Sequence, residues 1–242
     1  MYKCFTVEYY GKPFELFGLT HITVLTVLAV INTIIIAILK TNKSEKVKKY
    51  FRYLFALFIC AANISFFIWS FFSGYWSVKY TLPLHICDVS VVLSVIMLVL
   101  KNYAVYEITY FWGLAGSTQA ILTPDIAPYN FPHYIFFSFF ILHGVVITSV
   151  LYMTIVEGYR PRFASAIKAL IYTHIYACII AVVNVLLDSN YLFLCRKPYN
   201  PSIIDYLGPW PWYLLSLDFI AVILFLLYYL PFAIPYLIKN KT

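Results

Sequence analysis

Three side chains that could do chemistry stand together at the start of one apolar run. The segment YTLPLHICDVSVVLSVIMLVL, residues 80–100, carries His85, Cys87 and Asp88. His85 and Asp88 are three residues apart, so on a helix they share a face and can interact. A carboxylate beside an imidazole raises its basicity and fixes its orientation, which a general base and a metal ligand both require. A hydrogen-bonded pair that only stabilises a helix end is the structural alternative.

Other polar side chains interrupt further apolar runs. His143 lies near the middle of the run 134–156. An ionisable group inside a bilayer costs roughly 2.5–3.5 kcal/mol on insertion scales, so it needs a partner or a function. We therefore predict that His85, Cys87, Asp88 and His143 form a catalytic group. The residues that we expect to bind substrate around it are Gln119, His133, His174, Asn184 and Asp188.

Composition and spacing indicate an all-α, polytopic membrane protein. The chain is 63% hydrophobic and 11% charged, whereas soluble domains average about 25% charged. Seven apolar runs are long enough to span a bilayer: 18–39, 50–72, 82–100, 103–122, 134–156, 166–187 and 212–238. We predict one seven-helix membrane domain over residues 1–242. Residues 1–17 would form an outer interfacial arm, and residues 188–211 an outer loop rich in proline and aromatic residues.

The lysines and arginines predict the orientation. With the N-terminus outside and the C-terminus in the cytoplasm, twelve of the 17 basic residues fall in inside segments. This is a positive-inside pattern, and it accounts for the net charge of +7 as a topology signal. The run 43–49 could also contact anionic lipid headgroups. Nucleic-acid binding is excluded as an expectation, because it would need a basic folded surface for which the chain has no room.

In this orientation the polar groups converge on one level of the membrane. Those of the third, fourth and sixth spans fall in the outer half of the bilayer, with His143 at their floor. Polar groups from four helices at similar depth predict one cavity that opens outward beneath the proline-rich loops. Whether these side chains face one another depends on helix rotation.

Several site classes are not supported by motifs. The sequence has no glycine-rich phosphate loop, no Rossmann fingerprint and no H-E-x-x-H zinc motif, so we expect neither a cofactor nor a metal. The seventh run, 212–238, has no lysine, which excludes a retinal Schiff base of the rhodopsin kind there. Cys4 and Cys195 would both face outside, and a disulfide between them stays open.

Five ordered motifs carry a resemblance to a known family. LPLHICD, YFWGLAGSTQAILTPD, FPHYIFFSFFILHG, NYLFLCRKP and LGPWPWYLL together resemble the YwaF family of bacterial integral membrane proteins. The resemblance covers nearly everything from Leu82 to Leu230. It implies a seven-helix protein of the bacterial plasma membrane and supplies no activity.

A more distant resemblance implies an activity. A eukaryotic seven-helix acyltransferase family, implicated in remodelling ether phospholipids, has a Pro-Cys-His element, a glycine-containing helix ending in Phe-Pro, and a Gln-His. The elements at 83–85, 113–124 and 142–143 follow the same order here. This likeness implies that His85 and His143 are active-site residues. Leu84 stands at the position of that family's proposed nucleophilic cysteine, and Cys87 lies three residues further on.

Two functions from different classes fit these observations. The leading hypothesis is a lipid-modifying enzyme, either an acyltransferase or a lipid hydrolase, with membrane lipids as partners and a lipid or small molecule as substrate. His143 or His85 would be the general base, Asp88 its orienter, and Cys87 or a water the nucleophile. The alternative is a transporter or solute-binding membrane protein, because intramembrane Asp and His residues also serve proton coupling.

Overall fold

The described part of the chain folds into a bundle of seven α-helices. The computed structural model of the chain describes residues 4–198 and 202–239, with side chains up to residue 234. All regular elements within these ranges are helical: α1 (Leu19–Thr41), α2 (Glu45–Phe72), α3 (Ile86–Leu100), α4 (Tyr103–Leu122), α5 (Tyr134–Leu151), α6 (Phe163–Leu187) and α7 (Trp212–Lys239). A π-helical turn, Tyr152–Val156, continues α5, and 3₁₀ turns lie at Tyr191–Phe193 and Ile203–Leu207. Among the described residues, five helices are long and apolar enough to cross a membrane, namely α1, α2, α5 with its π turn, α6 and α7.

The third helix is shorter than the apolar run that contains it. We predicted a span from Leu82, yet α3 begins at Ile86 and has 15 residues. It is therefore about 22 Å long, against about 30 Å for a hydrocarbon core. Pro83 disfavours helical geometry at the residue before it. The start is fixed at His85, whose backbone N–H donates to the Asp88 carboxylate at 3.0 Å.

Helix α4 lies at the centre and packs against α3, α5, α6 and α7. Small residues allow this close approach. A Cβ on Gly113 would lie 3.2 Å from the side chains of Val146 and Val150 in α5. A Cβ on Gly116 would lie 3.2 Å from the Sγ of Cys87 in α3. One stripe of α4 is therefore shared by α3 and α5.

Buried charges fix the end of the bundle where α3 meets α4, which we call the basic end. Arg52 of α2 donates through Nη1 to the carbonyl oxygens of Leu98 and Val99, the latter at 3.1 Å, and so satisfies the last carbonyls of α3. Glu157 is paired with Lys101. Burial raises the pKa of Glu157, but hydrogen bonds from Lys101 and a tyrosine outweigh this and leave the pKa below its usual value.

The opposite end, the arm end, is covered by the N-terminal arm, residues 4–17. The arm packs on the connection between α4 and α5. Trp69 donates to the Phe5 carbonyl at 2.8 Å, and Tyr129 donates to the Val7 carbonyl at 2.8 Å. Because these contacts tie the arm to α2 and to the loop between α4 and α5, it is part of the folded bundle.

Candidate functional site

The start of α3 lies below the arm end of the bundle. Cys87 packs on Gly116, which is six residues before the last residue of α4, Leu122. Six helical residues correspond to about 9 Å. The non-helical residues 82–85 therefore lie between this level and the arm end. In a membrane-spanning bundle, non-helical backbone at such depth occurs only where protein buries it or where it lines a water-filled cavity.

His143 of α5 faces the same stripe of α4. Val146 and Val150, which pack on Gly113, lie one and two turns further along the same face of α5. The antiparallel register then places His143 within about two residues of the level of Cys87, or about 3 Å. The structure thus brings His143 and the start of α3 to one level and one side of α4.

The ring of His85 is held beneath the turn Tyr191–Phe193. Its Nδ1 accepts a hydrogen bond from the Leu192 N–H at 3.4 Å. The ring packs against the rings of Tyr191 and Phe193, with centroids at 5.4 and 5.3 Å. Because Nδ1 is an acceptor, the neutral ring carries its proton on Nε2. His85 therefore offers an N–H donor.

This turn, which we call the roof, is anchored by one amide side chain. Asn184 is buried, donates to the Tyr191 carbonyl at 2.9 Å and accepts from the Tyr191 N–H at 2.7 Å. Leu192 and Phe193 have φ angles of 59° and 54°, in the left-handed region that non-glycine residues rarely adopt. Such conformations cost on the order of 1–3 kcal/mol each and cluster at functional sites.

His143 has the opposite proton arrangement. Its Nδ1 lies 2.8 Å from the carbonyl oxygen of Phe139, one turn earlier in its own helix. A carbonyl only accepts, so Nδ1 carries the proton and Nε2 carries the lone pair. The site therefore holds one imidazole that can donate, His85, and one that can accept a proton, His143.

Asp88 and Cys87 occupy the first turn of α3. Asp88 accepts a hydrogen bond from the backbone N–H of His85, so it orients the chain at the helix start. The sequence had suggested instead that Asp88 orients the imidazole. Cys87 is a free, half-buried thiol. Tyr176 of α6 donates to the Leu84 carbonyl at 2.9 Å, which ties α6 to the non-helical residues.

The side chains of both imidazoles are half-buried. Among the described residues, the buried nitrogen and oxygen atoms without a hydrogen-bond partner belong to Arg52, Ser94 and Ser117. The free nitrogens of His85 and His143 are not among them. Ser117 follows Gly116 directly and is 1% exposed. Its hydroxyl, beside the site, has no hydrogen-bond partner among the described residues, although most buried polar groups in proteins have one.

Three residues expected to bind substrate make other contacts. The Gln119 side chain donates to the Thr123 hydroxyl at 2.8 Å, at the end of its own helix. Asp188 forms an exposed ion pair with Lys79. His133 is fully buried beneath the arm, where Nε2 lies 2.9 Å from the Thr6 carbonyl oxygen. Asn184, in contrast, serves the site indirectly by holding the roof.

His174 lies on another surface of α6. It is two residues from Tyr176 and therefore points to the opposite side of the helix. Its Nε2 is 3.1 Å from the Asp218 carboxylate of α7. Both side chains are about half exposed on the outside of the bundle. The structure does not bring His174 to the start of α3.

Neither a metal cluster nor a disulfide is found in the part of the chain that the structure describes. No three His, Cys, Asp or Glu side chains there are arranged to hold a metal ion. Cys4 and Cys195 are both free. Sequence reasoning missed Tyr176, Ser117 and the turn at Leu192, since each acts through a contact that no local pattern announces.

Comparison with known proteins gives a family. The model of the TMEM164 family matches residues 16–229. The chain belongs to the TMEM164 family. This is a family of transmembrane proteins, and together with the apolar helices it establishes a multi-pass membrane protein. The match includes every candidate residue named above.

The family match supports less than the sequence resemblances implied. It supports neither the YwaF name nor a likeness to acyltransferases. No curated protein and no solved structure matches the chain. The geometry of the site therefore has to carry any statement about activity.

Proposed function

We propose that this TMEM164-family protein is an intramembrane lipid-modifying enzyme that transfers or hydrolyses an acyl group at the start of α3. One observation carries the proposal: a proton donor, His85, and a proton acceptor, His143, lie at the same level beside non-helical backbone. Acyl transfer needs both functions, one for the carbonyl oxygen and one for the attacking group. The depth of about 9 Å below the end of α4 suits an ester bond near the top of an acyl chain.

The two imidazoles take different roles in the reaction. His143 Nε2 accepts the proton of a hydroxyl, from water or a lysophospholipid, as that oxygen bonds to the acyl carbonyl carbon. His85 Nε2–H donates to the carbonyl oxygen, which becomes negative in the tetrahedral intermediate. When the original ester bond breaks, the leaving alkoxide takes this proton from His143. The products are a new ester or a fatty acid, together with the released alcohol.

Cys87 supplies a second route to the same products. Its thiol would lose a proton to His143 and its sulfur would attack the acyl carbonyl carbon. The ester C–O bond then breaks, the leaving alkoxide takes that proton from His143, and the acyl group remains on Cys87 as a thioester. A hydroxyl would then release the acyl group with the same two imidazoles in the same roles. Asp88 acts as a positioning residue in both routes, since its carboxylate holds the backbone N–H of His85.

Lipid mass spectrometry on purified protein tests the proposal. Nanodiscs would contain phospholipid and lysophospholipid, and new or missing acyl species would be followed over time. We expect turnover by the wild-type protein and its loss in His143→Ala. His174→Ala is the matched control, because His174 makes the same bond to its own helix, Nδ1 to the Leu170 carbonyl at 2.8 Å, but lies elsewhere. An unchanged lipid profile in the wild type, or equal losses in both variants, overturns the proposal.

Transport is the second candidate, and the interrupted start of α3 favours it. Discontinuous helices commonly form substrate sites near the middle of transporters, and intramembrane Asp and His residues serve proton coupling. The discriminating measurement is flux of small polar or cationic solutes into proteoliposomes. Lipid turnover without flux decides for the enzyme, and flux without turnover decides for the transporter.

We further propose that the arm end faces outward across a bacterial plasma membrane. The basic residues support this, because most of them fall at the other end of the bundle and basic residues concentrate on the cytoplasmic side. Cys195 is exposed in the loop after α6, so a membrane-impermeant maleimide should label it in intact cells. Labelling of Cys195 that requires permeabilised cells contradicts this orientation.

A further inference from the structure

Two hollows lie at the basic end, far from the start of α3. The first, which we call the α1 groove, has a volume of about 420 Å³ and runs between α1 and the end of α5. Its lining includes Asn32, Ala37, Lys40, Thr41, Leu151 and Ile155. Small side chains on α1 create the concavity, and the π-helical turn supplies the facing wall.

The second hollow lies on the outer surface of α2 near its start. This α2 groove has a volume of about 470 Å³ and is lined by Lys46, Lys49, Tyr50, Tyr53, Leu54 and Leu57. These residues recur every three or four positions, so they form one stripe along the helix. Tyr50 and Tyr53 are 64% and 42% exposed.

Both grooves run in the same direction relative to the two ends of the bundle. In each, lysine lies at the basic end. The α2 groove becomes apolar toward the middle of the bundle, whereas the α1 groove has apolar walls and ends at Asn32 and Thr33. The α1 groove runs eight residues from Lys40 to Asn32, about 12 Å, and the α2 groove eleven residues from Lys46 to Leu57, about 16 Å. Tyrosines between lysine and leucine match the level of a membrane–water interface, where aromatic side chains concentrate.

The lysines of the grooves are exposed and form no ion pair with the described residues. Among the described residues, no carboxylate lies within ion-pair distance of Lys40, Lys46 or Lys49. The nearby Glu45 pairs with Lys48 instead, at 2.8 Å. Three unpaired positive charges therefore border two apolar grooves.

We propose that the α1 groove and the α2 groove each bind an anionic phospholipid, with the phosphate at the lysines and an acyl chain along the apolar part. Charge complementarity selects the anionic headgroup. A soluble phosphate would meet the lysines but leave Leu54 and Leu57 uncovered, so the occupant is a lipid. This proposal is independent of any activity at the start of α3.

Native mass spectrometry of the full chain in detergent tests the proposal. Phosphatidylglycerol and phosphatidylcholine would be titrated separately, and bound lipids counted. We expect two phosphatidylglycerol molecules to bind the wild type in preference to phosphatidylcholine. Each lysine near an anionic surface is worth about 1 kcal/mol, or about fivefold in affinity. The double variant Lys46→Gln, Lys49→Gln should thus bind one of the two lipids with about thirtyfold lower affinity.

Two further variants separate a shaped site from general attraction. Lys43→Gln removes an exposed charge from the same connection but outside both grooves, and we expect it to leave both affinities unchanged. Ala37→Phe fills the α1 groove at an exposed position without altering charge, and should remove one bound lipid. Glycerol phosphate at millimolar concentration should not compete.

The proposal is overturned by any of three results. Equal binding of both lipids would show that the lysines select nothing. A loss in Lys43→Gln as large as that in the double variant would show that charge alone attracts lipid to this end. Full retention of two lipids in Ala37→Phe would show that the α1 groove holds no acyl chain.

Discussion

Four histidines at the arm end fall into two pairs that use the same ring differently. His21 and His133, beneath the arm, are fully buried and have both nitrogens in hydrogen bonds. His21 accepts from the Phe17 N–H at 3.0 Å and lies 2.7 Å from the Ile121 carbonyl oxygen. His85 and His143 each commit one nitrogen and leave the other free.

The difference shows how one residue type can serve structure or chemistry. A ring with both nitrogens bonded to backbone satisfies one donor and one acceptor that burial would otherwise leave unpaired. A ring with one bonded nitrogen is held in place, and its tautomer is fixed, while the other nitrogen can meet a substrate. Three substitutions and one change of pH would break or sharpen this comparison.

The largest effect is expected for His85→Asn. The asparagine carbonyl can still accept from the Leu192 N–H, but the Nε2–H donor is lost. Removal of one such donor lowers turnover by about 10²–10³-fold, and lipid mass spectrometry at several time points measures it. The melting temperature should stay near the wild-type value. A variant with full activity would exclude His85 from the reaction.

His133→Ala should give the reverse result. It removes the bond to Thr6, the bond from the Ile135 N–H at 3.2 Å, and the stacking on Tyr129. We expect a loss of about 2–4 kcal/mol in stability and faster proteolysis of the arm, with unchanged turnover per folded molecule. Lost turnover at full stability would place His133 in the site.

Acid should release the arm through the same residue. Burial lowers the pKa of His133 below its usual value, although the contact with Thr6 raises it slightly. The unfolded state therefore takes up a proton first, so stability is complete above about pH 6.5 and falls as the pH drops toward the folded-state pKa. Limited proteolysis of the arm at pH 7.5 and 5 measures this. In His133→Ala the pH dependence should vanish.

The smallest effect is expected for Asp188→Asn. Lys79 holds the pKa of Asp188 below its usual value by a hydrogen bond and by charge. The benefit is present above the unfolded-state pKa and lost as the pH falls through the lowered value. Because the pair is exposed and screened, turnover and melting temperature should barely change. A large loss of turnover would mean that Asp188 contacts substrate.

Much of the fold could be predicted because apolar length is a local property. The run 103–122 is helix α4 without adjustment, and the run from Trp212 begins α7. The start of α3 could not be predicted, because Leu82 and Leu84 are as apolar as the helix itself. The hydrogen bond between Asp88 and the backbone of His85, together with Pro83, sets the boundary.

The candidate site was predicted in part for the same reason. Depth follows from counting residues, so His143 and Cys87 could be placed at one level. Rotation about a helix axis and loop conformation depend on tertiary packing, so the separate surface of His174 and the buried position of His133 could not be read from the sequence. Their predicted role in substrate binding, like the catalytic roles, stays a prediction.

The length of the short third helix sets the distance between the basic end and the start of α3. Arg52 binds the carbonyl oxygens of Leu98 and Val99 at the basic end, and His85 immediately precedes the other end of this 15-residue helix. The number of residues in α3 therefore sets the depth of His85. The helix has no additional turn that could compensate for an inserted or deleted residue. Inserting one residue into α3 would shift His85 by about 1.5 Å and rotate it by about 100°, away from His143 and the roof. Relatives with this site should therefore vary the side chains of α3 more freely than its length.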